Sequence, residues 1–255
     1  MPTMDTEQAR FIQGSEGRLF VNTELGCASN CAYCYLPSVG LKINSRQTGD
    51  RMSGTTLFTS LVSDTRFRSG SAGTMVSIGC FSECWDSRNV TDTLEFMSQL
   101  LPLGNRVQLA TKREIRAAQL SRIADLGKYS NQVTAFISCA TISNWMTFEA
   151  KTAPPRNRFR SFEACRAAGV QAVLYIKPLL AGISIIDTEE FGAIMRRHAV
   201  PAVVGDRFDA DSTGIESPIS RRLGVVEHQE ARVMRAALSR FGSVFSNSTD
   251  AMLRL

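Results

Sequence analysis

Long hydrophobic runs are missing from this 255-residue chain. No apolar stretch approaches the ~20 residues that span a bilayer, and the opening MPTMDTEQARFIQG lacks the apolar centre of a secretion signal. Histidine is scarce, with His198 and His228 the only two, which excludes a zinc site assembled from closely spaced histidines. No repeat or low-complexity tract is present in the sequence. Neither sign of charge is concentrated: 29 Lys and Arg against 24 Asp and Glu give +5, scattered along the chain. That mild basicity would suit an anionic substrate but marks no nucleic-acid face. A cytoplasmic protein with no membrane partner is expected.

What is present is an ordinary globular composition, 44% hydrophobic and 21% charged, together with seven cysteines. Cytosolic thiols stay reduced and serve metals or catalysis rather than disulfides. Short β-branched or apolar runs at 18–23, 74–79, 106–110, 133–138, 171–177 and 202–204 read as strands. Amphipathic stretches near 55–67, 91–101, 113–126, 158–168 and 188–197 read as the helices between them. The alternation implies βαβ units on a parallel sheet. Five full units and a sixth strand predict an α/β fold, a partial (β/α)6 barrel with parallel strands, because a closed eight-fold barrel would need more chain. A single domain is expected over 1–255, its core about 17–205. The C-terminal extension, 206–255, would carry a polar connection at 205–224 and a final helix at 227–241.

Three of the cysteines, Cys27, Cys31 and Cys34, lie in one short segment that follows the first expected strand. Parallel α/β folds gather their sites at the carboxyl ends of strands. Thiolates are the ligands that iron–sulfur clusters prefer, and intervening spacings of three and two residues let one loop wrap three corners of a cubane. The fourth iron then lacks a protein thiolate. A zinc site would need a fourth ligand at similar spacing, and both histidines are far away in sequence.

The pattern Cys27-x3-Cys31-x2-Cys34, with Tyr33 before the last cysteine and Tyr35 after it, resembles the signature of the radical S-adenosylmethionine (SAM) superfamily. That resemblance implies a [4Fe–4S] cluster on Cys27, Cys31 and Cys34, with SAM chelated at the open iron. It also implies reductive cleavage of SAM to a 5′-deoxyadenosyl radical and abstraction of hydrogen from a substrate. Over roughly 21–186 the chain is similar to the spore photoproduct lyase branch. Cys80-Phe-Ser-Glu83 matches that branch's Cys-Thr-Ser-Asp segment, which places Cys80 at a hydrogen-donating cysteine and Ser82 with Glu83 at the ribose of SAM. Lys112 matches a lysine that pairs with the SAM carboxylate, and Ser138 a serine that contacts SAM. By the same resemblance Tyr33 would touch the cofactor, and Tyr35 would join Cys80 as a catalytic residue. Glu149, Thr152 and Arg158 match a Glu-x2-Thr-x5-Arg pattern, as a structural ion pair or as cavity lining.

Read without the resemblance, Cys80 could be one more buried cysteine, Lys112 a solvated helix start and Ser138 a small hydroxyl bonded to backbone. The lyases carry a sizeable segment before the cluster motif, whereas 26 residues precede Cys27 here. No basic, aromatic-interleaved stretch suggests a wedge into DNA. The expected substrate is therefore a small molecule or nucleotide, with DNA lesion repair as the alternative and a flavodoxin- or ferredoxin-type protein as electron donor. A noncatalytic iron–sulfur or zinc module is the reading of a different class.

Overall fold

Eight strands form one sheet in the order β1 to β8 in this computed structural model, which describes residues 10–43, 50–205 and 228–255. They are β1 (Ile12–Ser15), β2 (Arg18–Val21), β3 (Met75–Ile78), β4 (Val107–Thr111), β5 (Val133–Ser138), β6 (Gln171–Ile176), β7 (Ala202–Val204) and β8 (Val244–Phe245). Strands β2 to β8 pair in parallel, and β1 folds back on β2 as an antiparallel hairpin with Ser15 opposite Arg18. The six expected strands are β2 to β7, so the partial barrel is present. β1 and β8 extend it at either edge. The near-continuous apolar runs follow from two-sided burial: all six residues of β5 and all four of β3 are buried.

The helices are α1 (Gly54–Ser63), α2 (Val90–Leu100), α3 (Ala117–Leu120), α4 (Trp145–Phe148), α5 (Pro155–Ala167), α6 (Thr188–His198), α7 (His228–Leu238) and α8 (Ser248–Arg254). Three of the longer ones carry local signals at their ends. Ser53 caps α1 by accepting from Thr56 N at 3.2 Å. Pro155 opens α5, where its missing N–H costs nothing. α6 carries Glu189 and Glu190 in its first turn and Arg196, Arg197 and His198 in its last, signs that complement the helix dipole. Where α1 crosses α2 there is room only for Gly54, because a Cβ there would lie 2.3 Å from Asp92 O.

The helix expected over 113–126 shrinks to the single turn α3. Its apolar positions Ile115, Leu120 and Ile123 are buried as the spacing required. Beyond α3, however, the chain advances by i+3 turns, Ile123 N to Leu120 O at 3.0 Å and Leu126 N to Ile123 O at 3.2 Å. The 205–224 connection falls outside the described residues except for Gly205.

One core fills the space between sheet and helices, from Leu19 and Leu57 through Phe162 to Leu238. A second lies inside the barrel, where Met75, Phe136, Val173 and Val203 meet Ala251 and Met252 of α8. α8 thus plugs the amino-terminal end of the barrel. Arg106 Nη1 donates to Met252 O at 2.7 Å, and Asn131 Nδ2 to Leu255 O at 2.9 Å. Among the described residues no helix is long and apolar enough to cross a membrane.

Candidate active site

At the opposite, carboxyl end of the strands the loops enclose one cavity, lined by all ten side chains that the sequence assigns to metal, cofactor or catalysis: Cys27, Cys31, Tyr33, Cys34, Tyr35, Cys80, Ser82, Glu83, Lys112 and Ser138. Alternation explains part of this. Ser138 ends β5 and Lys112 directly follows β4, and their side chains face inward with those two positions earlier in each strand.

The cysteine loop after β2 is anchored by backbone bonds to its neighbours: Gly26 N to Phe81 O at 3.0 Å, Cys27 N to Lys42 O at 3.0 Å and Ala32 N to Phe148 O at 2.9 Å. Gly26 sits at φ 119°, and a Cβ there would come within 2.8 Å of Lys42 O, so a side chain is excluded on both counts. Burial pushes the thiols up, Cys31 to about 12 and Cys34 to about 11. Cys27 is raised too, by burial first and then by the Glu83 carboxylate. All seven cysteines are free thiols. Among the described residues no three His, Cys, Asp or Glu side chains converge tightly enough to hold a single metal ion, which is the geometry tetrahedral zinc requires.

Opposite the thiols, Glu83 is fixed by three donors. Thr111 Oγ1 and Trp85 N donate to Oε1, the latter at 3.2 Å, and Lys112 N donates to Oε2 at 2.9 Å. One lone pair of Oε2 is left for a guest. The Lys112 ammonium lies 5.7 Å from the centre of the Tyr33 ring. Burial alone would lower its pKa, but the neighbouring Cys31, Glu149 and Glu83 side chains outweigh that and leave it raised. Lys112 is half-buried in the cavity wall and is not a solvated helix start. The hydroxyls of Ser82 and Ser138 are buried and have no hydrogen-bond partner among the described residues. Such groups cost about 1–3 kcal/mol each unless something occupies the cavity to pair them.

Tyr33 connects the cavity to a buried ion pair. Its hydroxyl donates to Glu149 Oε1, while Arg158 Nη1 reaches Glu149 Oε2 at 2.6 Å with both side chains fully buried. Arg158 also donates to Ser138 O at 2.9 Å, to Ala153 O at 2.6 Å and to Thr152 Oγ1. Of the two roles left open for Glu149 and Arg158, the structure gives the ion pair. Tyr35 turns the other way: its hydroxyl donates to Cys80 O at 2.7 Å and lies 3.3 Å from Cys80 Sγ.

Sequence reasoning missed further lining residues: Arg18, Phe20, Ser77, Gln108 and Ser248 toward the α8 end of the cavity, and Tyr175 and Lys177 at the carboxyl end of β6. Strand period was the available signal for several of them, since Ser77, Gln108 and Tyr175 occupy inward positions of β3, β4 and β6. Arg18 gathers the α8 end together. Its Nε donates to Ser77 Oγ at 2.8 Å, Nη2 to Gln108 Oε1 at 2.5 Å and Nη1 to Thr249 Oγ1 of α8 at 2.9 Å.

The sequence matches no protein-family model and no curated protein. Its fold, by contrast, is found among solved structures. A spore photoproduct lyase complexed with dinucleoside spore photoproduct superposes with a TM-score of 0.59 at 13% identity, covering 88% of this chain and 74% of the lyase. A lyase mutant with bound AdoMet and the same dinucleoside gives 0.60 at 13%, over 89% and 75%. Streptococcus suis SuiB bound to S-adenosylmethionine gives 0.60 at 13%, over 92% of this chain but 50% of SuiB. At these identities the likeness establishes the fold: this chain is built, as spore photoproduct lyase and SuiB are, on a partial barrel of parallel strands.

Proposed function

We propose that this chain is a radical SAM enzyme, with a [4Fe–4S] cluster on Cys27, Cys31 and Cys34 and with SAM held by Tyr33, Ser82, Glu83, Lys112 and Ser138. One observation carries the reading: three thiols, a half-buried ammonium and two unsatisfied buried hydroxyls line the same cavity. The donor set fits the groups. Thiolates suit iron–sulfur centres, ligands of separate irons need not converge as ligands of one ion do, and the polar groups opposite match a zwitterionic, hydroxylated cofactor. When bound, the cluster would supply the electron that cleaves SAM to the 5′-deoxyadenosyl radical, which takes hydrogen from a substrate C–H bond.

The chain's own groups then have distinct tasks. Lys112 pairs with the SAM carboxylate, and the remaining lone pair of Glu83 Oε2 accepts from a ribose hydroxyl. Ser82 and Ser138 pair their hydroxyls with the cofactor's polar edge. The barrel walls and the α8 plug exclude water from the reacting centre. A cytoplasmic setting, where all seven thiols stay reduced, suits this site. The electron comes from a flavodoxin- or ferredoxin-type donor, and the substrate is a small molecule or nucleotide.

The test is anaerobic. Reconstituted, reduced protein is expected to form 5′-deoxyadenosine from SAM, and a fully loaded protein that forms none overturns the reading. The solved lyase holds a dinucleoside spore photoproduct, so that compound is the probe for the lesion-repair alternative. Its reversal would assign this chain to repair, and failure to bind it would leave the biosynthetic role.

Cys80 is assigned as hydrogen donor. Its S–H gives a hydrogen atom to a carbon radical, forming C–H and leaving a thiyl 3.3 Å from the Tyr35 hydroxyl. In D2O the exchanged thiol carries deuterium, so 5′-deoxyadenosine formed without added substrate should be labelled. Cys80→Ala is expected to keep SAM cleavage but lose most of that label, read by mass spectrometry. Undiminished labelling would dismiss Cys80 as donor.

A further inference from the structure

Several loops meet at the rim of the cavity, and one side chain touches three of them. Arg113 directly follows Lys112. Its Nη2 donates to Asp86 Oδ2 at 2.9 Å in the loop after β3 and to Ser29 Oγ at 3.3 Å in the cysteine loop. Its Nη1 donates to Lys151 O at 2.8 Å in the loop after β5. The backbone is fixed as well, since Arg113 N donates to Thr111 Oγ1 at 2.9 Å.

Ser29 is the middle residue of the span between Cys27 and Cys31. It is 2% exposed, and its N–H points to Cys27 Sγ at 3.4 Å. Asp86, the other end of the Arg113 contact, belongs to a run of alternating charges. Arg88 stands 3.9 Å from Asp86 and 3.1 Å from Glu24, a buried carboxylate at the base of the cysteine loop. Asn89 Nδ2 adds a bond to Glu24 at 2.8 Å. The cysteine loop is therefore gripped twice, at its base through Glu24 and at its tip through Ser29.

We infer that Arg113 is a positioning residue for the iron–sulfur cluster: it holds the Cys27–Cys31 span in the shape three thiolate ligands need and places a positive charge beside it. The inference rests on the radical SAM reading. Groups that orient metal ligands govern how firmly the metal is kept, and cluster potential follows the nearby charge and the hydrogen bonds to sulfur. Arg113 keeps 22% of its side-chain surface, so its ion pair is partly screened and contributes little to folding by itself. Its effect belongs on the cluster loop.

The experiment compares wild type, Arg113→Gln, Arg113→Lys and Ser29→Ala, each loaded anaerobically with iron and sulfide. Iron loss to a chelator and the cluster midpoint potential are measured, with circular dichroism to check the fold. Arg113→Gln is expected to hold its cluster roughly 10–100-fold less firmly and to show a more negative midpoint, because a charge that favoured the added electron is gone. Arg113→Lys should recover the midpoint but not the retention, since one ammonium cannot reach three loops. Ser29→Ala should speed iron loss without removing any charge, and it carries the test if the Gln variant does not fold. Variants that match wild type in both readouts overturn this inference alone. A wild-type protein that takes up no cluster overturns it together with the radical SAM reading.

Discussion

Cys31→Ser is expected to abolish assembly of the proposed iron–sulfur cluster and, with it, the proposed formation of 5′-deoxyadenosine, while the polypeptide stays folded. Cys31 lies among Tyr33, Ala140 and Leu180 in a small buried cluster of its own, at 8% exposure. Serine fills nearly the same space, so packing is little disturbed. Chemistry is what changes. A thiolate is the ligand iron prefers, whereas a serine hydroxyl is a hard and far weaker donor that would have to lose its proton in an apolar pocket. Each of the three ligands serves a different corner of the proposed cluster, so no neighbour substitutes for the missing one. Of the cysteines outside this loop, Cys84 Sγ faces Ala110 O at 3.5 Å and Cys139 Sγ faces Thr141 O at 3.3 Å, while Cys80 lines the cavity beside the Tyr35 hydroxyl. The same loss is expected at Cys27 and Cys34. Iron and sulfide analysis after anaerobic reconstitution, beside an unchanged far-ultraviolet spectrum, checks the result. A Cys31→Ser protein that binds iron and sulfide as wild type does would remove Cys31 from the ligand set.

The cysteine motif was legible in the sequence because it is local. Cys27 to Tyr35 span nine positions of one loop, and Cys80, Lys112 and Ser138 stand at the ends of strands whose apolar runs are unmistakable. β5 coincides with its expected range, 133–138. What stayed hidden depends on contacts between distant parts of the chain. β1 has a single buried residue, Ile12, and contains Gly14, so nothing in its own pattern announces a strand; its hairpin with β2 forms it. β8 is two residues long and exists because Val244 and Phe245 pair with Ala202 and Val203 of β7. Arg18 stands 231 positions from Thr249, and no period within β2 could show that the two meet. The failed helix over 113–126 is different in kind. Its apolar positions are right, but Arg113 is drawn toward the cysteine loop, and Ile115 N donates to Ser161 Oγ at 2.8 Å rather than to a helical carbonyl. Tertiary partners outbid local propensity there.

Glu149→Gln is expected to lower stability by about 3–5 kcal/mol, the usual result of stripping one partner from a fully buried ion pair. Both side chains of the Glu149–Arg158 pair are 0% exposed, so no water takes the place of the lost charge. The guanidinium cannot shed its proton. Arg158 would be left as a buried cation with only neutral acceptors, Ser138 O, Ala153 O and Thr152 Oγ1. At roughly 2–4 °C per kcal/mol for a domain of this size, the melting temperature should fall by about 6–20 °C. The amide keeps the shape of the carboxyl but has one acceptor oxygen in place of two, so if that oxygen stays on Arg158 its NH2 turns to the Tyr33 hydroxyl, which must then accept. Arg158→Met is expected to be milder, because the stranded carboxyl can take up a proton and become neutral. The double variant should recover part of the loss, since an uncharged pair of similar volume leaves nothing to compensate. Thermal melts of the four proteins decide the matter, and a Glu149→Gln variant that melts with wild type would show that the pair contributes nothing. The consequence reaches the cavity, since Glu149 anchors Tyr33 and Arg158 holds the backbone carbonyl of Ser138. The pair that stabilises the barrel at this point also sets two walls of the pocket in which SAM is proposed to bind.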